Sequence, residues 1–227
     1  MTRKFGIRFE GLENPLEKIL IEHVKDKKEY TFLEIGTASM TTHRAIRDII
    51  SENIKSPDWL TIALDVLNSA DVNFRNIMQI FTNKELIVND KSGGVETLGF
   101  GEQKSVLVLR EDPRDFTKSL DYNSLDLCLI DGCHGSKCVI ADFLSVESKM
   151  NIGSLVALHD IGSEETGTDW QGHCQENINV RKALIDLNLL ETTTRPGWKL
   201  VAEIPGTRKT NNDPNGGNSL IIFEKIN

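Results

Sequence analysis

Short apolar runs alternate with amphipathic stretches along most of the chain. Residues 30–35 (YTFLEI) form a compact apolar run that stops at Gly36. Residues 59–64 (WLTIAL), 105–110 (SVLVLR), 125–130 (LDLCLI) and 154–159 (SLVALH) repeat that pattern. Runs of this length, rich in branched residues and closed by Gly, Asp or His, predict buried strands. Between them the apolar positions follow helical spacing. Residues 14–27 (NPLEKILIEHVKDK) predict an amphipathic helix. Residues 41–54 place Ala45, Ile46, Ile49 and Ile50 on one stripe behind two threonines suited to an N-cap. Further helices are predicted over 70–81, 135–150 and 178–189.

Strands that alternate with helices predict a mostly parallel sheet covered on both faces. The chain ends differently. The runs at 198–204 and 219–225 are joined by PGTRKTNNDPNGGN, with no helical pattern between them. Two such strands predict an antiparallel hairpin at one edge. Residues 82–104 contain the turn signal NDKSGG between two short β-like pieces, consistent with an inserted hairpin. Two polar loops stand out, at 161–176 and 205–218. The first follows a strand end and carries Trp170 and His173, as a loop covering a substrate would. The second predicts disorder or an oligomer contact. No internal repeat or low-complexity block interrupts the pattern.

Composition narrows the classes. The chain has 227 residues and is 39% hydrophobic, enough for one α/β domain with a true core. No run of about 18 apolar residues occurs, so a membrane-spanning helix is not expected. The basic start MTRKFGIRFEG lacks the apolar stretch of a signal peptide, so a cytoplasmic location is expected. A net charge of −8 argues against a general grip on nucleic acid or an anionic membrane. Four cysteines in a chain of this size do not make a disulfide framework. Cys133, His134, Cys138, His173 and Cys174 are candidate zinc donors, but Cys133 and Cys138 fall on a turn and a predicted helix, which argues against a zinc site.

The chemistry collects behind the strands, where open parallel sheets bind ligands. Glu34 and Gly36 close the first, Asp65 the second, Glu111 and Asp112 the third. Asp131, Gly132 and His134 follow the fourth, and His159 and Asp160 close the fifth. Neither GxGxxG nor GxxxxGK[ST] is present, which weakens dinucleotide and triphosphate readings. A carboxylate beside Gly36 repels phosphate and favours a cationic ligand. A plain strand-to-helix turn explains the same residues equally well. Asp65 is suited to accept hydrogen bonds from both hydroxyls of a ribose. His134, titrating near neutrality, is suited to take a proton from a hydroxyl, or simply to bond a neighbouring loop.

The segment LDLCLIDGCHGSKCVIADFLSVESKMNIGSLVALHD resembles the family-24 group of class I S-adenosylmethionine-dependent methyltransferases. The matching positions are Ile130, Asp131, Gly132, His134, Val139, Asp142, Gly153, His159 and Asp160, and LEIGTASMTT is similar to the group's first motif. The likeness runs from about residue 30 to 225. It implies a Rossmann-like α/β sandwich, a mostly parallel seven-stranded sheet with a C-terminal antiparallel hairpin and helices on both faces. Residues 1–29 would then be a helical extension and 30–227 the methyltransferase-like domain. It implies S-adenosylmethionine (SAM) held by Glu34, Gly36, Thr37, Asp65, Asp112 and Asp131. Asp131, His134 and His159 would face a small hydroxylated acceptor of sugar or natural-product type. Some relatives of this architecture hold a divalent cation, which implies a Mg²⁺ site at Asp131, His159 and Asp160; metal-free and metal-bound alternatives both stay open. Three positions depart from the pattern. Met40 replaces a glycine of the first turn, Ser136 or Lys137 an aromatic, and Ser154 a glycine. Met40 keeps alive the alternative of a non-catalytic binding or regulatory module. Homo-oligomerisation is left open.

Overall fold

The computed structural model describes residues 14–37, 40–65, 86–90, 96–100, 105–109, 113–161, 180–190, 195–206, 208–210, 213–217 and 219–227. The first helix, α1 (Pro15–Val24), begins as its sequence dictates. Asn14 caps it, its Oδ1 accepting from Leu16 N at 3.0 Å and Glu17 N at 3.3 Å, and Pro15 occupies the first turn. Leu16, Leu20 and Val24 are buried at i, i+4, i+8 spacing. Helix α2 (Thr41–Asn53) buries Ala45, Ile46, Ile49 and Ile50, together with Thr42 and His43. The remaining helices are α3 (Pro113–Lys118), α4 (Ser136–Glu147) and α5 (Val180–Asp186). The predicted helix over 70–81 lies outside the described residues.

The strands in chain order are β1 (Glu29–Ile35), β2 (Asp58–Asp65), β3 (Leu86–Asp90), β4 (Glu96–Phe100), β5 (Ser105–Leu109), β6 (Leu125–Ile130), β7 (Met150–His159), β8 (Trp198–Ile204), β9 (Arg208–Thr210), β10 (Asp213–Gly217) and β11 (Leu220–Lys225). Nine of them form one sheet in the order β3-β4-β5-β2-β1-β6-β7-β11-β8. The central five, β5 to β7 in that order, pair in parallel. Strand β11 inserts antiparallel between β7 and β8, so the C-terminal hairpin closes one edge as the pattern predicted. The seven strands from β5 to β8 are the expected framework. The β3–β4 hairpin extends it antiparallel along β5, which raises the described sheet to nine strands.

Each face of the sheet has its own core. Leu33 and Ile35 of β1 point into a layer with Val139, Phe143 and Val146 of α4 and Val180, Ala183 and Leu184 of α5. Tyr30 and Phe32, one residue out of phase, point into a layer with α1 and α2. The period-2 alternation is hidden in the sequence because both faces are apolar.

Three features depart from the expectations. Strand β7 starts at Met150 rather than 154, with a register irregularity between Leu125 and Leu127 on its partner β6 and Gly153 at φ +79°. Helix α3 was not predicted; six residues are too few for a periodic signal. The 205–218 loop contains the antiparallel pair β9–β10 instead of the expected disorder. Among the described residues no helix is long and apolar enough to cross a membrane.

Candidate active site at the switch point of the sheet

From β1 the chain builds outward through β2 and β5, then returns to place β6 and β7 on the other side of β1. The direction of winding therefore reverses between β1 and β6, the position where such sheets open a crevice at the strand carboxyl ends. The two turns that leave those strands meet there. Asp131 N donates to Ile35 O at 2.9 Å, and Gly36 N donates to Leu64 O at 2.8 Å, so the ladder continues one residue past the strands. Gly36 has φ +82°, and a Cβ on it would fall 2.3 Å from Gly132 Cα and 2.5 Å from Asp131 O. The sequence suggested that Gly36 admits a ligand. In the structure the space above its Cα belongs to the Asp131-Gly132 backbone.

Asp65 closes β2 and turns toward the same place. Its Oδ2 accepts from Thr37 N at 3.1 Å and from Thr37 Oγ1 at 3.5 Å, fastening the start of the first turn. Glu34 precedes the last residue of β1. It is 1% exposed, and Oε2 lies 3.0 Å from His43 Nδ1 of α2. The approach is close but misaligned: neither atom, nor His43 Nε2, has a hydrogen-bond partner among the described residues. The His43 ring stacks on Phe32 at 4.9 Å between centroids. Burial pushes the Glu34 carboxyl well above its usual range, and the charges of Asp131 and Asp65 push it further. Burial and Arg47 lower His43 to about 3. His43 was missed at the sequence level; its one signal was a histidine on the apolar stripe of α2.

Met40 is the N-cap of α2, buried, with φ +53° in the left-handed region. The backbone there has kept a conformation that favours glycine while the side chain has not. That side chain is 2% exposed and so lies within the packed interior.

Beyond β6 and β7 four side chains converge. Asp131 Oδ1 lies 2.6 Å from His159 Nδ1 and 3.3 Å from His134 Nε2. The other nitrogen of each ring faces Asp160: His134 Nδ1 is 3.5 Å from its Oδ2, and His159 Nε2 is 3.5 Å from its Oδ1. Asp160 holds this position at φ +56°, with its N–H bonded to Ser219 O of the neighbouring strand end. Burial pushes the Asp131 carboxyl up, but the facing His159 and His134 outweigh it and hold it at about 2. Burial pushes His159 down, but Asp131 and then Asp160 raise it to about 9. His134 is raised in the same way against the cost of its burial.

The fold brings Asp131, His134, His159 and Asp160 into one cluster and Thr37 and Asp65 into a second contact. Asp112, Trp170, His173 and Cys174 lie outside the described residues. Among the described residues the one convergent group of His, Asp, Glu and Cys donors is Asp131, His134 and His159; it includes neither Cys133 nor Cys138. Gly132, which follows the fourth apolar run, is the residue against which Gly36 packs. The carboxylates of Glu34, Asp65 and Asp131 are near enough that the latter two act on the first. The charges of Asp65 and Asp131 beside the first turn disfavour a phosphate there.

Comparison with known proteins agrees in fold. A family model described as a methyltransferase domain, family 24, matches residues 33–161. No curated protein sequence matches the chain. Among solved structures the chain is similar to the O-methyltransferase TomG of Streptomyces achromogenes, involved in tomaymycin synthesis and solved with SAM: 11% identity, TM-score 0.58, covering 96% of this chain and 82% of that one. It is similar to an O-methyltransferase of Bacillus cereus solved with S-adenosylhomocysteine (SAH): 13% identity, TM-score 0.57, covering 96% and 84%. It is also similar to an rRNA methylase of Streptococcus thermophilus: 9% identity, TM-score 0.58, covering 96% and 99%. At such identities these likenesses establish the fold alone.

Proposed function

The chain belongs to the family-24 methyltransferase domains, and on that premise we propose that this SAM-dependent methyltransferase acts on a hydroxyl of a small molecule, of sugar or natural-product type. The observation that carries the reading is the Asp131–His134–His159 cluster at the switch point, directly behind the turn that Gly36 and Gly132 share. Methyl transfer to an alcohol needs two things from a protein: alignment of the acceptor oxygen with the methyl carbon, and somewhere for one proton to go.

The acceptor oxygen donates its lone pair to the methyl carbon. The S–CH₃ bond breaks, its electrons stay on sulfur, and SAH leaves. On this reading Asp65, fixed by Thr37, holds the ribose of the donor, and the Thr37 turn positions its amino-acid end. Glu34, buried at the end of β1, supports the turn above it. On this reading His134, more exposed than His159 (side chains 20% and 8%), takes the hydroxyl proton in its neutral form, which the neighbouring carboxylates shift to higher pH. A divalent cation held by the same residues would supply another route, by making the acceptor hydroxyl more acidic. The net charge of −8 favours a small molecule over RNA as acceptor.

Incubation with methyl-labelled SAM and a panel of hydroxylated sugars and phenols, beside rRNA, tests this. Label should enter an alcohol or phenol, and Asp131→Asn should reduce the rate by about 100-fold or more. Label appearing in RNA alone would overturn the acceptor class.

A further inference from the structure

The resemblance implied a Mg²⁺ site made of Asp131, His159 and Asp160. The geometry assigns these residues differently. We propose that Asp131, His134 and His159 bind a first-row transition-metal ion of the Zn²⁺, Co²⁺, Fe²⁺ or Mn²⁺ class in preference to Mg²⁺, with Asp160 bracing the two histidines rather than ligating. The proposal deepens the reading of this site as the acceptor end of a methyltransferase and rests on that reading for its role, though not for its existence.

Three observations carry it. The donor atoms of Asp131, His134 and His159 all lie within 4.8 Å of one another. With metal–donor bonds near 2.1 Å, ligand atoms stand about 3 Å apart; Asp131 Oδ1 already lies 2.6 Å from His159 Nδ1 and 3.3 Å from His134 Nε2, on either side of that spacing. Second, each imidazole is already oriented as a ligand. His134 Nε2 and His159 Nδ1 point to Asp131 Oδ1 at 3.3 and 2.6 Å, while His134 Nδ1 and His159 Nε2 each stand 3.5 Å from an oxygen of Asp160. A carboxylate behind the far nitrogen of a ligating histidine is the usual way such a ring is held in tautomer and orientation. One carboxylate here serves both rings. Third, His159 is 7% exposed, and its Nε2 has no aligned hydrogen-bond partner among the described residues. A buried polar atom left this way is costly unless a partner moves onto it. Drawing His159 Nδ1 onto an ion fixes the proton on Nε2, where it becomes the donor to Asp160.

The choice of metal follows from the donor set. Mg²⁺ takes oxygen ligands, keeps several waters and is reluctant to exchange them. Two imidazoles with one carboxylate suit the transition ions and leave positions open for an acceptor oxygen.

The test uses the full chain, stripped with chelator and titrated with CoCl₂, ZnCl₂ and MgCl₂ separately. Binding is followed by Co²⁺ visible absorption and by competition. SAH affinity is measured in the same samples. The expected result is a 1:1 Co²⁺ spectrum displaced by Zn²⁺, with Mg²⁺ at least about 100-fold weaker. His134→Gln should weaken Co²⁺ by tenfold or more while far-UV dichroism stays native. In the wild-type chain, Zn²⁺ should shift the ring ¹⁵N signals of two histidines, a readout that needs no variant. Mg²⁺ competing on equal terms, Co²⁺ binding untouched by His134→Gln, or no histidine ¹⁵N shift would each overturn the proposal. Metal binding without SAH binding would sink the methyltransferase reading and leave this site standing. SAH binding without metal would do the reverse.

Discussion

Met40 sets two residue-scale terms against each other. A non-glycine residue at φ +53° costs roughly 1–2 kcal/mol. Removing a buried methionine side chain costs about 2–5 kcal/mol. Burial wins, so Met40→Gly should lower stability by about 1–3 kcal/mol in urea unfolding. Because the side chain is packed inside, SAH affinity should change less than about threefold (under about 0.7 kcal/mol). A large gain in affinity would instead mean that Met40 had been filling the cofactor pocket. His43 makes a second test. It is held at about 3 when folded and titrates near 6.5 when unfolded. Between those values the unfolded chain binds the extra proton, so the His43 contribution is intact above about 6.5 and is lost as pH falls toward 3. Glu34, raised by burial well above the usual carboxylate range, has the opposite sign and loses its contribution as pH rises. His43→Phe, which keeps a ring to stack on Phe32, should therefore flatten the fall in urea midpoint between pH 6.5 and 4. An unchanged acid limb would show that His43 takes up its proton while folded.

At the scale of elements, the switch point depends on two turns in backbone contact. Gly36→Ala forces a Cβ to 2.3 Å from Gly132 Cα, an atom of main chain that has no flexible end to give way. It should cost about 3 kcal/mol or more and abolish SAH binding, whether seen by melting or by calorimetry. The far end of the sheet offers a contrast. Glu147, the last residue of α4, accepts from Arg195 Nε at 2.7 Å, Arg195 Nη2 at 2.6 Å and Trp198 Nε1 at 3.0 Å, clamping the helix to the start of β8. The pair is about a quarter exposed, so Glu147→Ala should cost only about 1 kcal/mol and leave SAH affinity unaltered. These elements also show what was legible. Strands β1, β2, β6 and the end of β7 were readable because each is an apolar run with a polar stop, and the stops supplied Asp65, Asp131 and His159. Helix α3, the β9–β10 pair and the early start of β7 were not, because six residues, a turn-rich loop and a register irregularity leave no period. The Gly36–Gly132 packing and the Glu34–His43 approach join separate elements, and no local pattern announces them.

For the whole molecule, the parallel core of five strands, flanked by two antiparallel hairpins, puts every strand-end acid of the described core on one rim. The chain as a whole is negative, which favours a cationic methyl donor over a polyanion. The β3–β4 hairpin, foreshadowed by the NDKSGG turn signal, widens the sheet beyond its framework at the edge away from the switch point, so the site stays where the strand ends put it. The most direct measurement is calorimetric titration of the purified chain with SAH, repeated for Asp65→Ala. The account predicts a 1:1 isotherm for the wild-type chain and at least a tenfold (about 1.4 kcal/mol) loss of affinity for Asp65→Ala. No binding at millimolar SAH, or equal binding by both, would contradict it.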